Sequence, residues 1–376
     1  MKPIAIRSYG SLSPLGTDAK KIWNKMQART SFFQKKENYY AAVLTEDDNQ
    51  LCESLKEQNP KYKKLDSSVI YAIIASRRAM ENLDWDKQRI GVNLGSSRGA
   101  TGLFEGYFSD YLNGKKLSPL SSPTTTLGNL ASWVAQDIGI KGPVISHSMT
   151  CSSALQALIN GVAWIESGRV DHFLVGGSEA PLTPFTIAQM KALKVYAKDG
   201  VCRALDFSKN QNSMILGEGA CVLALEREIS PQTKAVIKGI GYATESISHG
   251  AALSVDGLCF QEAMVSALDD LPLEEVDIIV MHAPGTIKGD QSEYNAIQTV
   301  FGSAIPALTG NKAIIGHTFG ASGALSIEFA LLMLEHQEFI SSPYATHSFE
   351  PKKIQNILVN AVGFGGSAVS VLISKI

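Results

Sequence analysis

The sequence predicts an α/β fold with a buried, mostly parallel sheet. Three observations predict it. Short apolar runs alternate with segments of helical periodicity along the 376 residues. One of those runs, Pro143 to Ile145, gives way within a few residues to a helical pattern. The second half of the chain then repeats the strand-and-helix grammar of the first, although no direct sequence repeat is visible.

In order, Ile4 to Gly10 reads as a strand by its period of two. The charged segment Asn59 to Ser68 precedes an amphipathic helix over Val69 to Leu83. Arg89 to Ser97 is an apolar strand ending in glycine and serine. A polar loop, roughly Gly99 to Thr126, leads to a helix over Leu127 to Ile138 and a strand at Val144 and Ile145. Leu155, Leu158, Ile159, Val162 and Ile165 then recur at helical spacing, and Gly168 stops that helix. Strands follow at Phe173 to Val175 and Ala220 to Leu225, with a loop and helix over Gly176 to Lys194 between them. After the charged link Arg227 to Lys234, a strand over Lys234 to Ala243 reopens the pattern. A helix (Leu258 to Leu271), a strand (Val276 to Val280) and a nearly all-apolar helix (Leu325 to Leu334) complete it.

Composition excludes several classes. Hydrophobic residues make up 45% and charged residues 19%, the balance of a soluble globular protein. The net charge of −2 gives no footprint for nucleic acid. The opening residues lack the apolar core of a signal peptide, and no apolar run is long enough for a membrane span. The five cysteines lie far apart with no CxxC spacing, which argues for reduced thiols in a cytoplasm and against a disulfide framework or zinc site.

The chemistry centres on His147 to Gly168. Cys151 stands where strand gives way to helix, followed by the small residues Ser152, Ser153 and Ala154. A thiol at a helix N-terminus feels the macrodipole and the unpaired N–H groups, and both favour thiolate. The residue reads equally as a nucleophile and as a small buried apolar side chain.

Three later segments break the tie: Val280 to Glu293, Asn311 to Ala324 and Asn360 to Ile373. In this order the four segments resemble the β-ketoacyl-acyl carrier protein synthases, the decarboxylating condensing enzymes of the thiolase superfamily. The family's cysteine elbow matches at Cys151. Its HGTGT-x-x-GD pattern matches at His282, Gly285, Thr286, Gly289 and Asp290. Its K-x-x-x-x-GH-x-x-GA-x-G pattern matches at Lys312, Gly316, His317, Gly320, Ala321 and Gly323, and its GFGG loop at Gly363 to Gly366.

The resemblance implies a thiolase-like five-layer α/β/α/β/α sandwich of two pseudo-duplicated halves, 1–229 with the elbow and 230–376 with both histidines. It implies decarboxylative Claisen condensation: an acyl group held on Cys151 is extended by malonyl-acyl carrier protein to a β-ketoacyl carrier. His282 and His317 would stabilise the enolate, and Lys312 would organise the site electrostatically. The amides of Cys151 and Phe364 would form an oxyanion hole. Phe364 and Gly365 would gate the acyl channel, Thr286 would contact the pantetheine arm, and Phe185 would lie near the acyl-cysteine. No metal or other cofactor is implied, since the substrates ride on the carrier's phosphopantetheine. The implied partners are an acyl carrier protein, docking on Lys61, Lys63, Lys64, Arg77 and Arg78, and a second chain in a homodimer or heterodimer. His147, His172, His249, His336 and His347 match no catalytic position. Asp290 and Glu293 could pair with Lys312 or arginines and hold their loop.

The chain departs from the family pattern in three places. Where the family usually has two threonines after the first histidine, this chain has Pro284 and then Thr286. Ser326 stands where elongating enzymes often carry a glutamate, with Glu328 two residues out of register. Val362 replaces a frequent phenylalanine. These changes point to a specialised pathway, such as an aryl-polyene or polyketide-type pigment system. They also leave open a chain-length-factor-like partner subunit, although such partners usually lose the cysteine. A degradative thiolase is disfavoured, because it needs a second cysteine near the C-terminus and the last one here is Cys259.

Overall fold

A computed structural model describes residues 1–246, 253–345 and 349–376. Ten strands form one sheet: β1 (Ile4–Leu12), β2 (Ile90–Gly95), β3 (Val144–His147), β4 (His172–Glu179), β5 (Gly219–Glu226), β6 (Ala235–Thr244), β7 (Ile278–Val280), β8 (Ala307–Thr309), β9 (Asn356–Gly363) and β10 (Ser367–Ser374). Their spatial order is β8-β7-β9-β10-β6-β1-β5-β4-β2-β3.

The duplication the sequence could only suggest is explicit in that order. From the centre outward the first half runs β1-β5-β4-β2-β3, and the second runs β6-β10-β9-β7-β8. Each strand therefore has a counterpart five places later. Three residues of β1 pair with β6 and join the halves. The expectation of a mostly parallel sheet needs correction. The central pairings, from β9 with β10 across to β5 with β4, are antiparallel, and only β2, β3, β4 and β7, β8, β9 pair in parallel. Strands buried on both faces read as apolar runs in either orientation, so composition could not tell them apart.

Six helices sort into layers: α1 (Ser67–Ala79), α2 (Asn129–Ile138), α3 (Ser153–Glu166), α4 (Leu258–Leu268), α5 (Ile287–Phe301) and α6 (Ser322–His336). Strand alternation shows where the layers lie. Phe173 and Val175 of β4 enter the same core as Ile357, Val359 and Ala361 of β9, together with α3 and α6. Leu174 enters a second core with α1 and α2, and Leu358 a third with α4 and α5. The layers are thus outer helices, first half-sheet, α3 with α6, second half-sheet and outer helices. The middle position explains the unbroken apolar character of α6, which is buried from Ser322 to Leu334.

The segment read as a polar loop over 99–126 instead holds a helix, Thr101–Leu112, with no buried residue. Its Phe104, Phe108 and Tyr111 lie exposed in a stacked row, so no core-facing stripe announced it. Short strands at Phe33–Lys35, Tyr40–Ala42 and Leu216–Gly217 form a separate small sheet. No helix among the described residues is long and apolar enough to cross a membrane.

Candidate active site

The duplication determines which loops meet. β3 and β8 are counterparts, and each leads into one of the two central helices. Cys151 lies between β3 and α3, and His317 lies between β8 and α6. His282 follows β7, the counterpart of β2. The loops place His317 Nε2 3.2 Å from Cys151 Sγ. The His282 ring stands edge-on to that of His317, with centroids 5.2 Å apart. Donor atoms of Cys151, His282 and His317 all lie within 4.8 Å of one another. By donor type and spacing, the same three atoms could hold a soft divalent metal ion.

The backbone at each loop is forced. Thr150, just before the nucleophile, has φ 49°; Ala283, just after the first histidine, has φ 25°; Phe319 has φ 42°. Non-glycine residues in this region are strained by about 1–3 kcal/mol each and persist only where neighbours hold them. For Ala283 the holder is Glu293, which is fully buried. Its carboxylate accepts from the amides of His282 and Ala283, both at 2.9 Å, and from Asn360 Nδ2 at 3.1 Å. Asp290 accepts from the amides of Gly285 and Thr286 and pairs with Lys209 Nζ at 2.8 Å. The two acids hold the loop, as the sequence suggested, but Asp290 takes Lys209 and not Lys312 or an arginine.

Electrostatics overturns one expectation. Cys151 is 6% exposed among Ile187, Met190, Tyr196, Met214, Leu216 and Phe319. Burial pushes its thiol up to about 12; nearby Glu179 adds to this, while Arg98 and Lys312 oppose it. Burial therefore opposes the thiolate that a helix terminus favours, and on this balance the resting residue is a thiol. Burial also takes His317 down to about 3, helped by Lys312, and holds His282 well below the usual imidazole range. Both rings are neutral, which suits donors to a developing oxyanion. Nδ1 of each ring is buried without a partner among the described residues.

Lys312 is 2% exposed and donates to Ser326 Oγ at 3.1 Å. Ser326 therefore occupies the position facing the lysine but brings no charge. Glu328 points elsewhere and accepts from Ser11 Oγ at 2.5 Å. Burial takes Lys312 down to about 8 and Glu293 up to about 7.

Phe364 and Gly365 lie on the turn between β9 and β10. That turn presses on the elbow so closely that a Cβ on Gly363 would come within 2.0 Å of Thr150 Oγ1. Thr286 uses its side chain as the N-cap of α5, accepting from Gly289 N at 3.2 Å. Phe185 is not among the residues around Cys151. It is 60% exposed at the start of the helix Pro184–Ala192, and the next turn supplies Ile187 and Met190 instead. The aromatic beside the site is Phe319, 5.4 Å from His317. Of the presumed docking charges, Arg77 is tied by two hydrogen bonds to Asp137.

The remaining histidines have structural places. His147 meets Asn93 at 3.0 Å, His172 stacks on Trp85, and His336 stacks on Trp23. His249 and His347 lie outside the described residues. All five cysteines are free and buried.

Sequence reasoning missed Glu179 and Arg98. Glu179 ends β4, fully buried, and its Oε1 accepts from the amides of Ser97, Arg98 and Gly320, tying the loop after β2 to the His317 loop. The available signal was an acid at the end of an otherwise apolar run.

Comparisons with known proteins agree with this geometry. Residues 1–229 match the family model for the β-ketoacyl synthase N-terminal domain, and residues 234–344 the one for its C-terminal domain. A 3-oxoacyl-[acyl-carrier-protein] synthase 2 of Staphylococcus aureus (strain COL) is 26% identical, over 100% of this chain and 98% of its own length. Nodulation protein E of Rhizobium sp. (strain N33) is 30% identical, over 92% and 88%. Among solved structures, the ishigamide ketosynthase/chain length factor superposes with TM-score 0.87 at 20% identity, covering 100% of this chain and 99% of that one. A type II polyketide synthase acyl-carrier protein in complex with its ketosynthase gives TM-score 0.86 at 21% identity, with full coverage of both chains. At such identities these two likenesses carry the fold.

Proposed function

The chain belongs to the β-ketoacyl synthase family, and we propose that it is an acyltransferase that extends a carrier-bound acyl chain by decarboxylative condensation. The observation that carries this reading is the 3.2 Å approach of His317 Nε2 to Cys151 Sγ, with His282 beside it. Cys151 attacks the acyl thioester; a carbon–sulfur bond forms to Cys151, the bond to the carrier's thiol breaks, and the thiol proton passes through His317 to the departing thiolate. Malonyl carrier then loses carbon dioxide. The electrons of the broken carbon–carbon bond become an enolate, whose oxygen takes hydrogen bonds from His282 and His317. The enolate carbon attacks the acyl-cysteine, the β-ketoacyl carrier leaves, and one proton from solvent restores the thiol.

Several further parts belong to this proposal. The amides of Cys151 and Phe364 form the acyl oxyanion hole, and Phe364 and Gly365 gate it. Thr286 meets the pantetheine arm. Lys312 biases both imidazoles toward neutrality. The reaction needs no metal or cofactor of the protein's own, because phosphopantetheine carries both substrates. The division into halves falls at 229/230, and the protein works in the cytoplasm. The acyl carrier protein docks on Lys61, Lys63, Lys64 and Arg78. A second chain, a copy or another synthase-like subunit, covers the exposed row Phe104, Phe108 and Tyr111.

One observation keeps a second reading, a chain-length-factor-like subunit: Lys312 faces Ser326 where a carboxylate would complete a pair. Intact-protein mass spectrometry with acyl and malonyl carriers decides between them. Acyl mass on Cys151 and a β-ketoacyl product, both absent in Cys151→Ala, support the enzyme. A folded protein that neither takes an acyl group nor decarboxylates malonyl carrier supports the partner subunit.

A further inference from the structure

The loop after β2, Ser96 to Gly99, is the topological counterpart of the His282 loop after β7, so it too reaches the site. It carries Arg98. The guanidinium lies over the Phe319 ring, 5.3 Å from its centroid, and Phe319 packs on His317. Nη1 donates to Gln189 Oε1 at 2.7 Å, on the helix whose Ile187 and Met190 belong to the same apolar cluster as Cys151. Nε is buried and has no acceptor among the described residues. Arg98 also enters no ion pair among them. A permanent cation with an unused donor therefore stands beside the apolar cluster that holds the nucleophile, with buried Glu179 taking the Arg98 backbone amide and not its guanidinium. Its charge favours negative charge at Cys151.

Arginine stays protonated, and its donors lie in a fixed fork. A purely hydrocarbon acyl chain packed on this cluster leaves the donor dry. An acyl chain that carries an oxygen supplies the missing acceptor. We infer that Arg98 selects oxygenated acyl groups, those with a keto or carboxylate oxygen along the chain, over saturated hydrocarbon ones. This rests on the condensing-enzyme reading above, and it names that enzyme's substrate class.

The test compares acyl transfer to Cys151, read by intact mass, from carriers bearing hexanoyl, 5-oxohexanoyl and adipoyl groups of equal chain length. A buried donor left unpaired disfavours the wrong ligand by roughly tenfold to a hundredfold. The wild type should prefer an oxygenated group by that factor. Arg98→Leu should erase the preference, and Arg98→Lys, a point charge, should keep it for adipoyl more than for 5-oxohexanoyl. Equal or faster transfer of hexanoyl by the wild type overturns the inference, and that arm does not depend on any variant folding. An unchanged ratio in folded Arg98→Leu, with only the pH dependence of Cys151 alkylation moved, also overturns it and leaves Arg98 a purely electrostatic role. Transfer from none of the three carriers would instead sink the condensing-enzyme reading itself.

Discussion

His317 Nε2 approaches Cys151 Sγ to 3.2 Å across the gap between the two central helices, and neither group is charged at rest. The two residues occupy equivalent places in the duplicated halves, one before α3 and one before α6. The fold therefore brings acid and base together by its pseudo-symmetry, and burial then withholds the thiolate until a substrate arrives.

This resting state has a direct test. With the thiol held near 12 and His317 near 3, alkylation of Cys151 by iodoacetamide should rise about tenfold per pH unit from about pH 6 to about pH 9. Mass-spectrometric rates across that range measure it. A rate already on a plateau below neutral pH would mean a preformed thiolate–imidazolium pair.

The two histidines should fail differently. Only His317 touches the thiol, so His317→Ala should slow both acyl transfer and elongation. His282→Ala should leave acyl transfer within about threefold and slow elongation by about 10²–10³, the usual loss of one oxyanion donor. Separate assays of acyl-enzyme formation and of β-ketoacyl product make the comparison. Equal losses in both steps for His282→Ala would refute the division of labour.

Much of this site was legible because glycine-rich motifs mark places where backbone must pack closely, and four of them fall in order. Cys151, His282 and His317 could be named because their motifs resemble those of the β-ketoacyl synthases; residue type alone left Cys151 undecided. The central helix α6 could be found because a doubly covered helix is apolar all round. What could not be read depends on long-range partners. Glu179 and Arg98 acquire meaning only when the β2 loop meets the His317 loop. Phe185 looked like an active-site aromatic by position, yet the helix phase turns it to the surface and brings Ile187 inward. The helix Thr101–Leu112 was hidden because its apolar side chains face outward.

Lys312 offers a pH signature. Burial holds it at about 8, below the usual lysine value, so it loses its proton as pH rises through that value. Ser326→Glu would place a carboxylate within reach of Nζ and favour the charged form. The basic limb of the kcat/KM profile, expected near pH 8 in the wild type, should move upward by about one unit or more. A limb that stays in place would assign that ionisation to another group.

Glu293 should matter first to stability. Glu293→Ala removes the acceptor of two buried amides, at roughly 1–3 kcal/mol each, and releases the strained Ala283. Glu293→Gln keeps one acceptor oxygen and should lose about half as much. Urea unfolding of the three proteins checks the order, with the elongation rate falling in the same sequence.

Gly363→Ala tests whether the GFGG turn and the cysteine elbow act as one unit. The added Cβ would meet Thr150 Oγ1 at 2.0 Å and the Met149 carbonyl at 2.5 Å, so one of the two loops has to shift. Both belong to the wall that orients Cys151, and a displacement near an ångström at a catalytic group typically slows chemistry about a hundredfold. The variant should keep its fold by circular dichroism, because the strain is confined to the last residue of β9 and the turn that follows it, while acyl transfer to Cys151 falls by about that factor. Its alkylation by iodoacetamide, which needs no oxyanion hole, should fall by less than about threefold. Equal losses in both reactions would place the damage at the thiol itself and separate the GFGG turn from acyl-group recognition.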